Sequence, residues 1–406
     1  MKILWVTPQF PCKQSGGQVR QFYLLKHLCQ DNSVKVISLI RQNELNEVSA
    51  LRDLGAEVVT EVFHPYQISG KWENRFQSWK QTLFDPYPHY ARTYPIDMLR
   101  VHITKAINTW HPDVIQFEHL YVAQLAKLTG DMPRILTEQN VESLIARRQI
   151  KFTHSTSRQI SAWIEAQKLR AWEVKMLRQY KTCIAVSPDD AREIHQLAPG
   201  VTVLIIPNGV DVPYFSQRSE TNPQREGILF FGNLGYPPNA DALDYFIRDI
   251  FPPVHDQFPD KTLTIVGPNA SSETRDLGRI PGVHFLGFVE DLRPFLWRAE
   301  ASIVPLRSGG GTRLKILESL AADCPVVSTD IGAEGLELVG GRDLMLANNP
   351  DDFAECLISL LASPDLQKKL SRQGKATVTE KYDWGNISPK LEEIYKSTVD
   401  QFQRIS

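Results

Sequence analysis

The stretch "ASIVPLRSGGGTRLKILESLAADCPVVST", residues 301–329, decides the fold class. It begins with the apolar run "ASIVPL", continues through three glycines into an amphipathic segment, and ends on the apolar run "CPVVST". Two short buried strands joined by one helix predict a parallel βαβ unit. Ligands of such sheets bind at the carboxyl ends of the strands, where the next helix begins. The stretch therefore predicts a parallel sheet and a ligand site at its glycine turn.

The glycine turn has the composition of a diphosphate site. Glycines leave backbone N–H groups uncovered, and the start of a helix favours anions through its dipole. We expect this helix to start near Thr312, with Arg313 and Lys315 neutralising phosphate charge from its first turn. Glu318 lies at the edge of the apolar stripe, where a carboxylate needs hydrogen-bond donors. Ribose hydroxyls are the expected donors, and a surface pair with Lys315 is the alternative. The turn's donor-binding candidates are Gly309, Gly310, Gly311, Thr312 and Glu318.

Strand-like runs alternate with helical segments along the whole chain. They cover residues 2–7, 34–40, 57–63, 113–118, 134–138, 182–187, 228–232, 262–267, 283–288, 301–306 and 324–329. This alternation predicts an α/β protein with two Rossmann-like parallel-sheet domains. We place the first domain at residues 1–205, joined by a C-terminal helix at 385–406, and the second at 206–384. The ligand site is expected in a central cleft that both domains face.

Candidate site residues follow several strands of the first half. Gly16 and Gly17 open a helix, so their N–H groups can meet an anion; a plain tight turn is the alternative. His119 follows the fourth strand and can polarise a reacting group, although a lone His is often an ordinary satisfied polar residue. Asn140 and Glu142 follow the fifth strand, where Asn140 is also a good helix N-cap.

The second half shows the same arrangement. Gly232, Asn233 and Gly235 follow its first strand, and the glycines allow a ligand to approach the backbone closely. Asn239 is expected to cap the next helix. Val289 lies in "GFVEDLRPFL", after a later strand, where a base or ribose can pack against the backbone. We include Gly232, Asn233 and Val289 among the donor-binding residues.

Composition and charge narrow the class of protein. The chain has 406 residues, and its five cysteines show no paired spacing, which favours a reducing compartment. It has no run of 18 apolar residues, so we expect no membrane span. Residues 1–200 hold 25 Lys and Arg against 19 Asp and Glu, with the excess concentrated in residues 140–181. This excess is either a solvated helix face or a surface for anionic lipid or a phosphate-bearing acceptor.

Several familiar motifs are absent. There is no G-x-x-x-x-G-K-[ST], which argues against P-loop kinases and ATPases, and no G-x-G-x-x-G after a first strand, which argues against dehydrogenases. No D-x-D occurs, so the usual means of holding a nucleotide sugar through a metal ion is missing. We therefore expect no metal, no cofactor and no nucleic-acid partner, with diphosphate charge met by protein cations and helix ends.

These residues resemble family-four retaining glycosyltransferases of the GT-B fold, over nearly the whole chain. The motifs are "SGGQVR", "FEHL", "QNVES", "AVSPDD", "PNGVD", "FFGNLGYPPNADAL", "FLGFVEDLRPFL" and, most specifically, "PLRSGGGTRLKILESLAADCPVVST". The likeness is greatest to the branch that builds bacterial cell-surface polysaccharides and glycolipids. It implies transfer of a sugar from a nucleotide-diphosphate-sugar donor to a glycan, lipid-linked or small-molecule acceptor, with retention and without a metal. It also implies a cytoplasmic enzyme, at the inner face of the membrane if it meets lipid.

The resemblance also implies roles for individual residues. The family's Arg/Lys pair on the donor diphosphate maps onto Arg313 and Lys315, and its ribose-binding Glu maps onto Glu318. The first-domain His near the donor sugar maps onto His119, and the family's glycine turn onto residues 16–17. With these assignments His119, Arg313 and Lys315 form the catalytic set.

Two positions depart from the family pattern. The family's first Glu, eight positions before the second, is replaced here by Gly310, and a common Arg after the first strand of the second domain is replaced by Asn233. Without a carboxylate at Gly310, contacts to the sugar hydroxyls must come from backbone N–H groups or elsewhere. Without the Arg at Asn233, more of the diphosphate charge falls on Arg313 and Lys315. Acceptor binding is assigned to the first domain, through Arg20, Asn140 and Glu142.

Two other functions are compatible with the same residues. A nucleotide-sugar epimerase of this fold needs no separate acceptor and would yield an isomer of the donor. A non-catalytic nucleotide-sugar-binding scaffold protein would bind the donor without transfer or hydrolysis.

Overall fold

The structure, a computed structural model, describes residues 1–14, 16–64, 85–150, 155–217, 225–309 and 313–404. The chain forms two compact units, Met1–Pro207 with Ser388–Ser406, and Asn208–Ile387. Each unit contains one parallel β-sheet whose strands alternate with helices. The expected fold class, two Rossmann-like α/β domains, is confirmed.

The first unit is built on seven parallel strands. They are β1 (Lys2–Thr7), β2 (Ser33–Ile40), β3 (Glu57–Val62), β4 (Val114–Glu118), β5 (Arg134–Glu138), β6 (Thr182–Ala185) and β7 (Thr202–Ile205). Their order in the sheet is β3-β2-β1-β4-β5-β6-β7. Sequence analysis did not identify β7, because this edge strand is only partly covered and lacks a continuous buried run. The direction of winding reverses between β1 and β4, so this is the point at which a ligand crevice is expected.

The helices of the first unit follow its strands in turn. They are α1 (Gly16–Asp31), α2 (Val48–Asp53), α3 (Arg100–Trp110), α4 (Glu142–Ile150), α5 (Thr156–Leu177) and α6 (Pro188–Leu197), with a long 3-10 segment at Leu120–Leu128. α1 directly follows β1, and β1 is buried at every residue after Lys2. Burial on both faces explains why this strand reads as a continuous apolar run.

The second unit is built on six parallel strands. They are β8 (Ile228–Phe231), β9 (Leu263–Val266), β10 (Val283–Gly287), β11 (Ala301–Val304), β12 (Val326–Ser328) and β13 (Met345–Leu346), in the order β10-β9-β8-β11-β12-β13. The direction of winding reverses between β8 and β11. β13 has two residues, too few to produce a periodic signal, and sequence analysis missed it.

Nine helices are seen in the described part of the second unit and the chain that follows it. They are α7 (Val212–Ser216), α8 (Pro237–Tyr245), α9 (Phe251–Gln257), α10 (Ser272–Asp276), α11 (Arg293–Arg298), α12 (Leu314–Ala321), α13 (Pro350–Ala362), α14 (Pro364–Tyr382) and α15 (Trp384–Gln403). The boundary between the units falls within α15. Within the described ranges, no helix is both long and apolar enough to cross a membrane.

The helix α12 is the element that positions the glycine turn. Ile316, Leu317 and Leu320 are fully buried in the core of the second unit. The Ser319 hydroxyl also meets the Ser302 hydroxyl of β11 at 3.0 Å. Each buried aliphatic side chain contributes about 1.5–3 kcal/mol, so the register of α12 on β11 is strongly determined.

Two local expectations in this unit were wrong. α12 begins at Leu314 rather than near Thr312, because Arg313 has the non-helical angles φ −85° and ψ 84°. Asn239 does not cap α8, whose N-cap is Tyr236. Pro237 and Pro238 occupy the first helical positions, where their missing N–H groups cost nothing, and this places Asn239 inside the helix.

Candidate active site

Both sheets carry polar residues at the carboxyl ends of the strands that flank the reversal in strand order. In the second unit these residues follow β8 and β11, and in the first unit they follow β1 and β4. Because carboxyl ends of parallel strands share one sheet edge, residues distant in sequence become neighbours. Each unit therefore has its own candidate site.

Lys315 is the central cation of the second unit's site. Its Nζ donates a hydrogen bond of 3.0 Å to Asn239 Oδ1 and lies 5.1 Å from the centre of the Phe230 ring. Burial, and then the nearby positive charge of Arg313, lower the pKa of Lys315 to about 7, against the opposing influence of Glu318. Such an ammonium group gains strongly from an adjacent anion.

Gly232 makes room for this lysine. Its φ is +147°, and a Cβ there would lie 2.9 Å from Lys315 Nζ and 3.1 Å from Asn239 Nδ2. Asn239 also donates to the backbone oxygen of Asn233 at 2.8 Å. The Asn233 side chain accepts from Gly235 N at 3.0 Å, which closes the turn after β8. Asn233, which replaces the family's cation, therefore shapes the loop that holds Asn239 against Lys315.

Arg313 folds back over the start of the glycine turn. The residue is 7% exposed. Gly309 has a φ of +126°, and a Cβ on it would lie 2.7 Å from an Arg313 terminal nitrogen. Gly309 is thus required both for the backbone conformation and for the position of the guanidinium. The expected donor residues Gly310, Gly311 and Thr312 lie outside the described residues.

Glu318 lies one turn further along α12 and is half-buried. Burial raises its pKa to about 7, and the charge of Lys315 opposes that rise. Among the described residues, none donates a hydrogen bond to this carboxylate, and no ion pair with Lys315 forms. The surface-pair alternative therefore finds no geometric support, whereas a hydroxyl donor would stabilise the carboxylate.

An apolar patch adjoins this site beyond β9 and β10. Val289 is half-buried and packs against a cluster that includes Phe231, Val266 and Trp297. Gly287, with a φ of +73°, turns the chain at the end of β10. The arrangement leaves Val289 at the sheet edge, as expected for a residue beside a flat ligand group.

His119 occupies the corresponding edge of the first unit. It follows β4 with a φ of +69°, unusual for a residue other than glycine, and is 7% exposed. Its Nε2 lies 3.4 Å from Gln21 Nε2. Burial, and then the charge of Arg20, lower the pKa of His119 to about 4. The imidazole is therefore neutral near pH 7 and acts through hydrogen bonds rather than charge.

Gly17 allows α1 to begin close to this imidazole. A Cβ at Gly17 would lie 2.6 Å from Gln139 Oε1 and 3.4 Å from His119 Cε1. Gln139 in turn donates to Glu118 Oε2 at 3.0 Å. Gly17 thus supports the packing of polar side chains beneath the helix start, while Gly16 remains exposed.

Arg20 was expected to bind the acceptor, but the structure buries its side chain. The residue is 1% exposed, and its NH1 donates to the backbone oxygen of Pro207 at 2.6 Å. Burial lowers its pKa to about 10, and Glu118 and Tyr395 oppose that change. Its buried charge balances Glu118, so the side chain cannot reach an acceptor in this arrangement. The position of Arg20 in a helix that follows a glycine turn does not show, from sequence alone, whether its side chain faces the core or a ligand.

Glu142 belongs to an acidic group at the start of α4. Its N–H donates to Glu173 Oε1 at 2.9 Å, and the Ser143 hydroxyl bonds the other oxygen of Glu173. The first N–H of α4 is therefore bound by Glu173 of α5 rather than by Asn140. Burial and the neighbouring carboxylate raise the pKa of Glu142 to about 7. Asn140 and Glu142 are both half-buried at the sheet edge.

Sequence analysis missed an aromatic group beside His119. Tyr90 stacks on Tyr121 with ring centres 3.9 Å apart, and Tyr94 meets Tyr121 edge-on at 4.7 Å. A cavity of about 340 Å³ adjoins Tyr94 and is lined by Pro8, Gln9, Gln14, Gln18, Arg41, Glu44, Phe63 and Tyr94. The segment 64–95 has weak periodicity and is interpreted from sequence as a variable loop region, so only its density of aromatic residues could have indicated this group. Residues 65–84 lie outside the described residues.

Sequence profiles of two glycosyltransferase families match the chain. The profile described as "Glycosyltransferase Family 4" matches residues 16–213, and that described as "Glycosyl transferases group 1" matches residues 225–363. The chain is a glycosyltransferase with one domain of each description.

Curated relatives of this glycosyltransferase include other sugar transferases. A phosphatidyl-myo-inositol mannosyltransferase of Mycobacterium leprae is 27% identical over 63% of this chain and 68% of its own length. A glycogen synthase of Mycobacterium tuberculosis is 25% identical over 71% of this chain and 69% of its own. These names agree with the enzyme class expected from the sequence.

Solved structures share the fold of the glycosyltransferase across both units. Sucrose-phosphate synthase from Thermosynechococcus elongatus has a TM-score of 0.70 at 14% identity and covers 98% of each chain. Anabaena Alr3699/HepE in complex with UDP has a TM-score of 0.66 at 15% identity and covers 98% of this chain and all of that one. A complex of the Anabaena protein with UDP-glucose has also been solved. At these identities the likeness concerns the fold alone.

The structure brings the predicted residues of this glycosyltransferase into two groups. Gly232, Asn233, Gly309, Arg313, Lys315 and Glu318 gather at the edge of the second sheet, and Gly16, Gly17, His119, Asn140 and Glu142 at the edge of the first. Sequence analysis missed the roles of Asn239, Gln21 and Gln139, whose amides hold the named residues in place. Across the described ranges, no three His, Cys, Asp or Glu side chains form a group able to hold a metal ion.

Proposed function

We propose that this glycosyltransferase transfers a sugar from a nucleoside-diphosphate-sugar to a hydroxyl of a glycan or lipid-linked acceptor. In this proposal configuration is retained and protein cations take the place of a metal. The observation that carries it is the cluster of Arg313, Lys315 and Glu318 at the strand reversal of the second unit. Binding of UDP-glucose by the Anabaena neighbour supports a nucleotide sugar of this class.

The charge of the cluster matches a leaving diphosphate. The pKa of Lys315 is lowered to about 7 by burial and by Arg313, so the two cations repel each other until an anion arrives. A diphosphate would relieve this repulsion, and most strongly when charge grows on it as the glycosidic bond breaks. The cations therefore stabilise the transition state more than the bound substrate.

Glu318 supplies the complementary recognition. A half-buried carboxylate without a donor among the described residues gains from two adjacent hydroxyls, as a ribose presents. Val289 and its apolar patch lie beside the same sheet edge, where a base can pack. This combination accounts for the whole nucleotide rather than for an isolated phosphate.

The state of Glu118, the residue before His119, supports retention without an enzyme nucleophile. Glu118 is 1% exposed, and its two oxygens accept hydrogen bonds from Gln116 and Gln139 at 3.0 Å each. A carboxylate so engaged is poorly placed to attack a sugar carbon. We therefore favour attack by the acceptor on the face that the leaving phosphate vacates, with that phosphate accepting the proton.

The cavity beside Tyr94 supports an acceptor that contains sugar rings. Its wall combines the aromatic rings of Phe63 and Tyr94 with the carboxamides of Gln9 and Gln14. Aromatic faces pack against the C–H faces of a sugar, and carboxamides bond its hydroxyls in both directions. Asn140 and Glu142, both half-buried after β5, are further polar candidates for acceptor contact in the same unit.

The outer face of α4 and α5 supports contact with anionic lipid. Arg147, Arg148 and Arg158 are exposed there, and so are Ile160 and Trp163, at 51% and 56%. Basic residues beside exposed apolar ones are typical of surfaces that lie on a membrane. The mycobacterial relative is named for a lipid acceptor. We propose a cytoplasmic enzyme that works at the inner face of a membrane, with binding to phosphatidylglycerol vesicles that weakens at high salt as its test.

The donor assignment is tested by replacing the cations. A panel of nucleoside diphosphates and nucleotide sugars is first screened by thermal shift, since a ligand of the folded state raises its stability. With the donor so found, R313A and K315A are expected to lower kcat/KM by about 100-fold or more, while R279A, which removes an exposed cation of the same unit, leaves it unchanged. Activity of both variants within about threefold of the parent would contradict the assignment. Conversion of the donor to an isomer without any acceptor would instead indicate an epimerase.

A further inference from the structure

Three buried side chains form a hydrogen-bonded series that ends on His119. The indole Nε1 of Trp5 donates to Gln21 Oε1 at 3.1 Å, and Gln21 Nε2 lies 3.4 Å from His119 Nε2. Trp5 and Gln21 are both 0% exposed. Trp5 belongs to β1 and Gln21 to α1, so the series links the first strand and first helix to the residue after β4.

The chemistry of these groups permits one arrangement of protons. An indole N–H is a donor only, so the Gln21 atom facing Trp5 must be the carbonyl oxygen. The Gln21 amide nitrogen, also only a donor, then faces His119. His119 Nε2 must therefore accept, which leaves the ring proton of the neutral imidazole on Nδ1. The donor-only indole thus resolves both the amide orientation and the tautomer, which ordinarily have to be assumed.

We infer that Trp5 and Gln21 are positioning residues that hold His119 as the Nδ1–H tautomer, so that it offers a hydrogen-bond donor to the substrate. In this state Nε2 is occupied by Gln21. His119 can then bond to an oxygen of the reacting sugar, but it is not the base that takes the acceptor's proton. This role rests on the proposed transferase function, whereas the tautomer itself does not.

The surroundings of the ring reinforce this arrangement. The backbone of His119 is held at φ +69°, with its N–H bonded to the Thr137 oxygen at 3.0 Å. Gly17 leaves room for the ring, since a Cβ there would lie 3.4 Å from His119 Cε1. Arg20 and Glu118 are the charged groups around it, and the pKa of His119, lowered to about 4, keeps the ring neutral. Because a neutral ring carries its proton on only one nitrogen, the tautomer decides which nitrogen can donate a hydrogen bond to a ligand.

The inference is tested first by nitrogen NMR on protein labelled with ¹⁵N-histidine. The His119 signals are identified by their loss in H119Q. We expect a protonated Nδ1 and an unprotonated Nε2 in the parent protein near pH 7. In Q21E the carboxylate can accept a hydrogen bond from a protonated Nε2, so the tautomer should switch and the His119 pKa should rise. A protonated Nε2 in the parent, or no change in Q21E, would overturn the inference whether or not the donor is correct.

Kinetics then test the functional consequence with UDP-glucose as the probe donor, or the better donor from the thermal-shift panel. Q21E is expected to lower kcat by about 100-fold, as for loss of one positioned donor, with KM within about threefold and a new ionisation in its pH profile. Q367L, which alters a buried glutamine of the second unit, should leave kcat and the profile unchanged. W5F, a milder change that frees the Gln21 amide to rotate, should give a mixture of tautomers and an intermediate kcat. A switched tautomer with unchanged kcat would show that the donor to the substrate is not needed.

Discussion

At the scale of single residues, buried ionisable groups govern the chemistry of both sites. Burial lowers the pKa of Lys315 to about 7 and that of His119 to about 4. Lys315 therefore changes charge in the physiological range, whereas His119 stays neutral through it. Lys315 is suited to bind an anion, and His119 is suited to form a directional hydrogen bond.

Nucleotide binding should therefore depend on pH through Lys315. Because UDP prefers the ammonium form, its affinity should fall above pH 7, by up to tenfold for each pH unit. Arg313 and Glu318 are the charged groups that face Lys315, and an ionised Glu318, which is proposed to accept hydrogen bonds from the ribose, opposes part of this fall. Titration calorimetry at pH 6.5 and 8.5 measures the change. K315M should bind UDP weakly, with an affinity that changes less with pH. E318Q should keep the pH dependence that is due to Lys315. A UDP affinity of the parent protein that does not change with pH would contradict this prediction.

Gly232 allows a second prediction at this scale. A methyl group there would displace Lys315 Nζ, which lies 2.9 Å from the position of a Cβ. G232A should weaken UDP binding by about tenfold or more and cost about 1–3 kcal/mol of stability through its positive φ. The matched control is G341A, whose φ is +76° but whose Cβ would meet no atom within 4 Å. G341A should lose stability without losing affinity; equal loss of affinity in both would exclude the displacement of Lys315.

At the scale of elements, helices are attached to the site by polar contacts as well as by apolar faces. α12 is bonded to β11 through Ser319 and Ser302 at 3.0 Å. α4 is bonded to α5 through Glu173, which binds the N–H of Glu142. A carboxylate at a helix start is favourable for the dipole, but two adjacent carboxylates repel each other when both are ionised.

The α4–α5 contact should make stability depend on pH. The pKa values of Glu142 and Glu173 are both raised to about 7 from 4.5, in each case mainly by burial, and for Glu142 also by the charge of Glu173. A raised pKa means that the folded state holds protons which the unfolded state releases, so stability is fully present below pH 4.5 and is lost as pH rises towards 7.

E142Q removes the part of this loss that Glu142 causes. It should match the parent at pH 4.5 and be more stable by about 1–3 kcal/mol at pH 8, as measured by urea unfolding. E290Q, at an exposed position, should show no such difference. A stabilisation of E142Q that is the same at both pH values would contradict the ionisation argument.

At the scale of the whole molecule, the two units share one topological feature, a reversal of strand order. Each parallel sheet reverses its strand order once, between β1 and β4 and between β8 and β11. The reversal separates two successive helix starts and leaves a crevice at the carboxyl edge. Each sheet thereby presents loops from two distant parts of its sequence to one ligand.

This organisation predicts which unit binds the nucleotide. In hydrogen exchange, UDP should slow exchange in segments 232–241 and 313–321 of the second unit, and leave α4 unchanged. Ligand contact and reduced local opening are the physical cause. ADP, which carries the same ribose and diphosphate on a different base, is the control for base recognition. Protection confined to the first unit would contradict the assignment.

The strands were predictable where burial was complete. β1 and β5 match their predicted bounds because every buried position is apolar or pairs within the sheet. β7 and β13 were not predictable, since one is an edge strand and the other has two residues. The start of α12 was misplaced by two residues because the backbone of Arg313 is not helical. Helix ends fray, so propensity alone places them only to within one or two residues.

The sequence by itself determined the fold class, the family and the residues of the glycine turn, because these depend on local periodicity and on the spacing of a few polar residues. Only the tertiary structure decided that Arg20 is buried beneath Glu118, that Asn239 holds Lys315, and that Trp5 and Gln21 orient His119. These relations join residues from different strands and helices at one sheet edge. The pKa values of the site follow from the same cause, because burial and neighbouring charge exist only once the sheets have formed.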